Sequence, residues 1–406
     1  MTSTITRILL FAPQNCTGNS GAVGDTILQT SFVRTLLRRD LFPRLRELHW
    51  WGTRWVITDL FPDLNTSLVR VYEWDGSVKS LDENPQYRSL RQSIRAADNS
   101  STVAFVCTRN EGIARKVKAD LRTIRCLEPT ESLDAQSPVH LSRQLHSCLE
   151  GLSLYVPDLP QPRIPVTDGE INEARKAMRL PILRKTCEVS SQVKHSYDLE
   201  VDRVFLLQPG LQKGLVDKRT WTVEKWKELA QILGEVGVVI VACDARDTAE
   251  AERAAAKEIV TGDQTYNWRF ARRLKLKELA AWACASTVCI ARDSGPMHVA
   301  SAAVGPRARA PVVGLFSVMC PDTWRPLSDS FKGLGRWPLP LDPYITPADA
   351  AVEATHWDNN SASVGRKKSQ SSRAVPSNRA MQPTRSAAKA RRVPSARKKH
   401  QPRRGA

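Results

Sequence analysis

The chain has 406 residues, 41% of them apolar, and a formal net charge of +18. That length fits two domains with sizeable cores, and no window approaches the ~20 apolar residues a membrane span needs. The charge is unevenly placed: residues 357–406 hold 14 Lys and Arg against the single acid Asp358. The part with folding potential is therefore only mildly basic, which argues against a body built to bind nucleic acid.

The elements read in chain order as follows. Residues 5–12 form a first buried strand, whose apolar run Ile8 to Ala12 is too short for a signal-peptide core. A polar loop and Gly21-Ala22-Val23-Gly24-Asp25-Thr26 follow, and then Leu28, Phe32 and Leu36 repeat at helical spacing. Strand, glycine loop and helix open a doubly wound α/β domain. The glycine spacing matches neither a dinucleotide fingerprint nor a Walker loop. Further strands are predicted at 45–51, 67–73, 101–107 and 122–127, and a helix over His140 to Leu149. Pro-rich, charged sequence between about 156 and 200, with one helix near Asp168–Ala177, reads as the interdomain connection. A second α/β pattern then runs strand 203–208, a Pro209-Gly210 loop, helix 222–235, strand 236–242, helices 248–260 and 275–285, and strand 287–292. A helix after Asp293 and a strand at 311–317 complete it. The predicted layout is 1–165, a Rossmann-like domain; 166–200, a connection; 201–356, a second Rossmann-like domain; and 357–406, a disordered basic tail rich in Ser, Ala, Arg, Lys and Pro.

Nine scattered cysteines, with no CxxC pair, fit reduced thiols in a cytoplasmic protein and give no metal-ligand spacing. Neither a metal nor a cofactor is predicted.

Three stretches carry candidate chemistry. Asp25, beside Gly24, is either a helix N-cap or a carboxylate able to take a proton from a substrate hydroxyl. Lys218 and Arg219, beyond Gly210, are either solvated charges or cations facing a diphosphate; Trp221 next to them reads as an anchor for the following helix. Asp293-Ser294-Gly295-Pro296-Met297-His298 is the sharpest signal. A buried strand there ends in a glycine turn that opens a helix, and this geometry presents backbone N–H groups and a positive dipole end to an anion. His298 stands either among the ligand groups or as a brace inside the turn. Asp244 and Asp247 could bond a ribose hydroxyl or be ordinary turn acids.

Together, Gly21–Leu28, the Pro209-Gly210…Lys218-Arg219-Thr220-Trp221 loop and Asp293–Ala300 resemble glycosyltransferase family 9, the ADP-heptose:lipopolysaccharide heptosyltransferases. Order and spacing match over roughly residues 5–345. The resemblance implies a GT-B fold, two Rossmann-like domains around a cleft, and metal-independent inverting transfer from an ADP-linked sugar to a lipopolysaccharide or other lipid-linked or surface glycan. It implies Asp25 as general base on the acceptor, Lys218 on the donor phosphates, Asp293 on the donor sugar, and Ser294 and Gly295 giving N–H groups to the diphosphate. Arg219 and His298 complete the donor side, and Gly21, Gly24 and Gly210 are supporting glycines. Three features depart from the family pattern: an Asn15–Ser20 insertion, Val318-Met319-Cys320-Pro321 after Gly314–Ser317, and the basic tail. Two alternatives stand beside this reading. One is a GT-B nucleotide-sugar epimerase, which a product assay without acceptor would reveal. The other is a non-catalytic member with a nucleic-acid-binding tail. The tail has no aromatic residue past Trp357 for base stacking, so it reads rather as a peripheral contact to the anionic inner membrane face.

Overall fold

A computed structural model describes residues 2–12, 22–74, 77–96, 99–108, 110–130, 139–180, 203–210, 221–244, 259, 268–306, 308–317, 320–335 and 344–356. Residues Met1–Ser361 form one compact unit. The predicted tail, the helix at 248–260 (apart from residue 259), and Lys218, Arg219, Gly21, Asp247 and the Asn15–Ser20 insertion lie outside the described residues.

Two parallel sheets organise this unit. The first contains β1 (Arg7–Phe11), β2 (Glu47–Gly52), β3 (Val69–Glu73), β4 (Thr102–Val106) and β5 (Arg125–Leu127), in the order β3-β2-β1-β4-β5. β6 (Ile164–Pro165) lies in the connection. The second sheet is built from β7 (Arg203–Gln208), β8 (Gly237–Asp244), β9 (Trp268–Leu274), β10 (Val288–Arg292), β12 (Val312–Leu315) and β13 (Phe331–Leu334). β11 (Ala303–Val304) pairs with β6 instead, and the six-stranded order is β13-β12-β10-β7-β8-β9.

Both sheets are doubly wound, and the sequence explains why. β1, β4 and β10 are continuous apolar runs, buried along almost their whole length, as strands covered by helices on both faces must be. Every strand pair within the two large sheets is parallel. The order reverses beside β1 in one sheet and beside β7 and β10 in the other, and open α/β sheets bind ligands at such switch points, outside the carboxyl ends of the strands.

The connection is tied down locally. Thr167 and Glu170 form a reciprocal capping box on the Asp168–Ala177 helix. That helix packs on the Leu276–Ala285 helix, where Arg175 donates to the Ala285 carbonyl at 3.4 Å and Lys277 donates to the Pro165 carbonyl. One hydrophobic cluster holds Phe32 and Trp50 from the first half together with Leu206, Ala280 and Met297 from the second. A second cluster, around Phe205, Trp226 and Val239, belongs to the second sheet alone. No helix among the described residues is long and apolar enough to cross a membrane.

Several elements differ from the sequence expectation. The His140 region is a short helix, Leu141–His146, that tightens into 3-10 geometry over Ser147–Leu152. β9 and β13 were expected as neither strand nor edge. Both lie at the ends of the second sheet, where only one side of each strand is paired.

Candidate active site

The first corner of the site follows β1. The helix after it begins at Ala22, so Gly24 and Asp25 belong to its first turn rather than to a loop before it. Asp25 is therefore not an N-cap. Its carboxylate sits within the first turn, where negative charge is favoured by the exposed N–H groups and the helix dipole, and it is only partly buried.

The second corner follows β10. Asp293 donates its backbone N–H to the Leu315 carbonyl at 2.9 Å, extending the sheet by one residue. Ser294 is fully extended (φ −166°, ψ 167°) and precedes the Gly295–Ala302 helix, with Pro296 in its first turn. The Ser294 hydroxyl does not cap this helix; it donates instead to the Arg292 carbonyl at 3.1 Å. Among the described residues, the N–H groups of Ser294 and Gly295 meet no acceptor. Those groups at a helix start make an anion-binding corner.

The two corners touch. A methyl group on Gly24 would lie 2.8 Å from Cδ2 of His298, and one on Gly295 would lie 2.9 Å from Cβ of Val23 and 3.7 Å from the Gly24 nitrogen. Only hydrogen-sized side chains let these helix starts meet so closely. The contact brings Gly24, Asp25, Asp293, Ser294, Gly295 and His298 into one neighbourhood. His298 is 4% exposed, and burial, followed by the nearby His140, pushes its pKa down to about 3, so the ring is neutral at ordinary pH. Its Nδ1 has no hydrogen-bond partner among the described residues. The geometry favours the brace: the imidazole is packed on Gly24, between the two halves.

Gly210 joins from the side. It adopts φ +58°, a left-handed conformation that suits glycine, and the Arg292 side chain covers its Cα, with Nε, Cδ and Cζ all where a methyl would go. β7 pairs with β10 so that Gln208 sits opposite Ala291, which places the Pro209-Gly210 turn beside Arg292 at the carboxyl edge of the sheet. Arg292 was not singled out in the sequence, although a cation closing the apolar run Val288–Ala291 and immediately preceding Asp293 is a legible signal. Its side chain is buried. Two buried acceptors share this edge: Gln208 Oε1 and Ser317 Oγ have no hydrogen-bond partner among the described residues. Trp221, predicted as an anchor, is 2% exposed and stacks edge-on against Trp226 at 5.4 Å. His140 adds a tie across the halves. Its Nδ1 accepts from the Ser142 N–H at 3.1 Å, leaving Nε2–H to donate to the Arg325 carbonyl at 2.7 Å.

Two doubly wound parallel sheets whose glycine-built helix starts meet at their carboxyl edges make the GT-B fold. Residues 149–342 match the family model described as glycosyltransferase family 9 (heptosyltransferase). Solved structures show the same fold. The ADP-heptose lps heptosyltransferase II of E. coli is 17% identical, with 88% of this chain and 100% of that one covered at a TM-score of 0.57. A family 9 glycosyl transferase from Veillonella parvula DSM 2008 is 16% identical, with 91% of each chain covered and a TM-score of 0.56. The E. coli heptosyltransferase WaaC, solved with ADP, is 13% identical, with 87% and 100% covered at 0.51. Comparison of the sequence with curated proteins gives no significant match.

Proposed function

We propose that this glycosyltransferase moves a heptose, or a related sugar, from an ADP-linked donor to a lipopolysaccharide or other lipid-linked or surface-glycan acceptor, with inversion at the transferred carbon. The observation that carries the reading is the meeting of the two glycine corners, with Asp25 on one and Asp293, Ser294 and Gly295 on the other.

In this mechanism the first half, 1–165, holds the acceptor and the second, 201–356, holds the donor. The acceptor hydroxyl loses its proton to the Asp25 carboxylate as its oxygen forms a bond to the anomeric carbon. The bond from that carbon to the diphosphate breaks on the opposite face, and the electron pair leaves with the nucleoside diphosphate. A single displacement of this kind inverts the centre. Charge growing on the leaving diphosphate is met by the Ser294 and Gly295 N–H groups and the dipole of the helix they open. Lys218 and Arg219, which follow Gly210 in the sequence, are assigned the same role, and Asp293 the donor sugar. His298 is a positioning residue holding the two corners in register. The basic tail is assigned peripheral contact with an anionic membrane face.

The test is a transfer assay with ADP-heptose and a truncated lipopolysaccharide acceptor, beside a thermal-shift panel of ADP, UDP, GDP and CMP sugars. Asp25→Asn is expected to keep donor binding and lose at least a hundredfold in kcat. Unchanged turnover in that variant would remove Asp25 as the base, and a preference for a nucleotide other than ADP would overturn the donor assignment.

A further inference from the structure

A polar cavity lies at the other end of the first sheet. Thr6 immediately precedes β1, Arg46 immediately precedes β2, and Ser67 and Leu68 precede β3. The glycine corner follows the opposite end of β1, a five-residue strand, so about 17 Å of strand separates the two places. With Arg39, Pro43, Arg44 and Leu45, these residues line a cavity of about 640 Å³, the size of a small-molecule site.

Three arginines line this cavity, and the neighbouring carboxylates are already committed. Asp40 is held by Arg38 at 2.6 Å. Glu47 is held by Arg7 at 2.9 Å and by His49 at 3.2 Å, with Arg70 at 3.8 Å. Among the described residues Arg44 and Arg46 make no ion pair. Arg39 donates only to carbonyls, those of Leu45 at 2.7 Å and Pro43 at 3.5 Å, which fixes its position without neutralising it. Ser67 adds a hydroxyl, Thr6 donates its own to Ser101 Oγ at 3.0 Å, and Pro43, Leu45 and Leu68 form an apolar wall. Unneutralised arginines around a concave, partly apolar pocket match the oxygens of a phosphate group, which guanidinium binds in a fork.

We propose that this pocket binds a phosphate group carried on a small organic body, either a soluble phosphomonoester or the headgroup of an anionic lipid. The proposal does not depend on the transfer chemistry. Full-length protein and the variant Arg44→Gln/Arg46→Gln would be titrated with glycerol 3-phosphate by calorimetry, and separately sedimented with phosphatidylglycerol/phosphatidylcholine vesicles. Both side chains are exposed, so the variant should keep the wild-type melting temperature. Lys79→Gln/Arg88→Gln, which removes two exposed cations elsewhere, controls for net charge. A soluble ligand predicts glycerol phosphate affinity reduced at least tenfold in the pocket variant and unchanged in the control. A lipid headgroup predicts little glycerol phosphate binding but vesicle affinity reduced about thirtyfold in the pocket variant, from two arginines near an anionic surface. Phosphate held at the glycine corner, or vesicles held by the tail, would be equal in all three proteins. Equal behaviour of wild type and pocket variant in both assays, or equal losses in pocket variant and control, overturns the proposal.

Discussion

Gly24 carries no side chain because the His298 ring occupies that space. Gly24→Ala puts a methyl 2.8 Å from Cδ2 of a ring that is itself buried. Overpacking of this kind costs about 1–3 kcal/mol, read as a lower melting temperature and urea midpoint. The cycle with His298→Ala separates steric from catalytic meaning. If the clash is the cause, the double variant should recover most of the glycine variant's loss relative to His298→Ala alone; strictly additive losses would refute the contact. Gly210→Ala faces a harder constraint, since its φ of +58° and the Arg292 side chain both oppose a Cβ. It is expected to lose more stability than Gly24→Ala, and to raise the donor KM if Arg292 moves to make room. A wild-type melting temperature in this variant would show that the turn relaxes freely.

Among the elements, the Val223–Gly234 helix illustrates what local sequence specifies. Trp226, Leu229, Ala230 and Leu233 recur at helical spacing, all four are buried, and Trp221 locks the helix start through its edge contact with Trp226. Trp221→Ala is expected to cost about 3–5 kcal/mol, measured by denaturant unfolding. Elements of this kind were legible: β1, β4, β7 and β10 are uninterrupted apolar runs, and the Asp168–Ala177 helix carries its capping box in sequence. The illegible ones have physical reasons. β9 reads Trp-Arg-Phe-Ala-Arg-Arg-Leu, and three arginines in seven residues look like loop until the strand is placed at a sheet edge, where charge is tolerated. The Pro85–Ala96 helix hides Tyr87, Leu90 and Ile94 among charged and polar neighbours, yet all three are buried. At the site, Asp293-Ser294-Gly295 was plain because a buried strand broke at a glycine. Arg292 was legible as the cation that closes this strand, but its seat over Gly210 was not, because the pairing that brings residues 210 and 292 together spans some eighty residues.

At the level of the whole molecule, stability should depend on pH through buried histidines. His146 and His298 are 5% and 4% exposed, and burial pushes their pKa values to about 4 and about 3. His146 Nδ1–H donates to the Ser142 carbonyl at 2.6 Å, leaving Nε2 to accept from the Thr35 hydroxyl at 2.8 Å. The unfolded chain takes up a proton at each ring as pH falls below about 6.5, whereas the folded chain does so only near 3–4, so stability declines through that window. Between pH 7 and pH 5 each ring should cost about 2 kcal/mol, and the urea midpoint should fall accordingly. His298→Gln should remove one ring's share of that pH dependence, about 2 kcal/mol, and a flat profile in the wild type would contradict the assignment of neutral buried rings. The apolar cluster shared by Phe32, Trp50, Leu206, Ala280 and Met297 has a further consequence. Neither half can melt without exposing part of its neighbour's interior, so heating should give a single heat-capacity peak whose calorimetric and van't Hoff enthalpies agree, instead of the two peaks expected of lobes joined only by a linker.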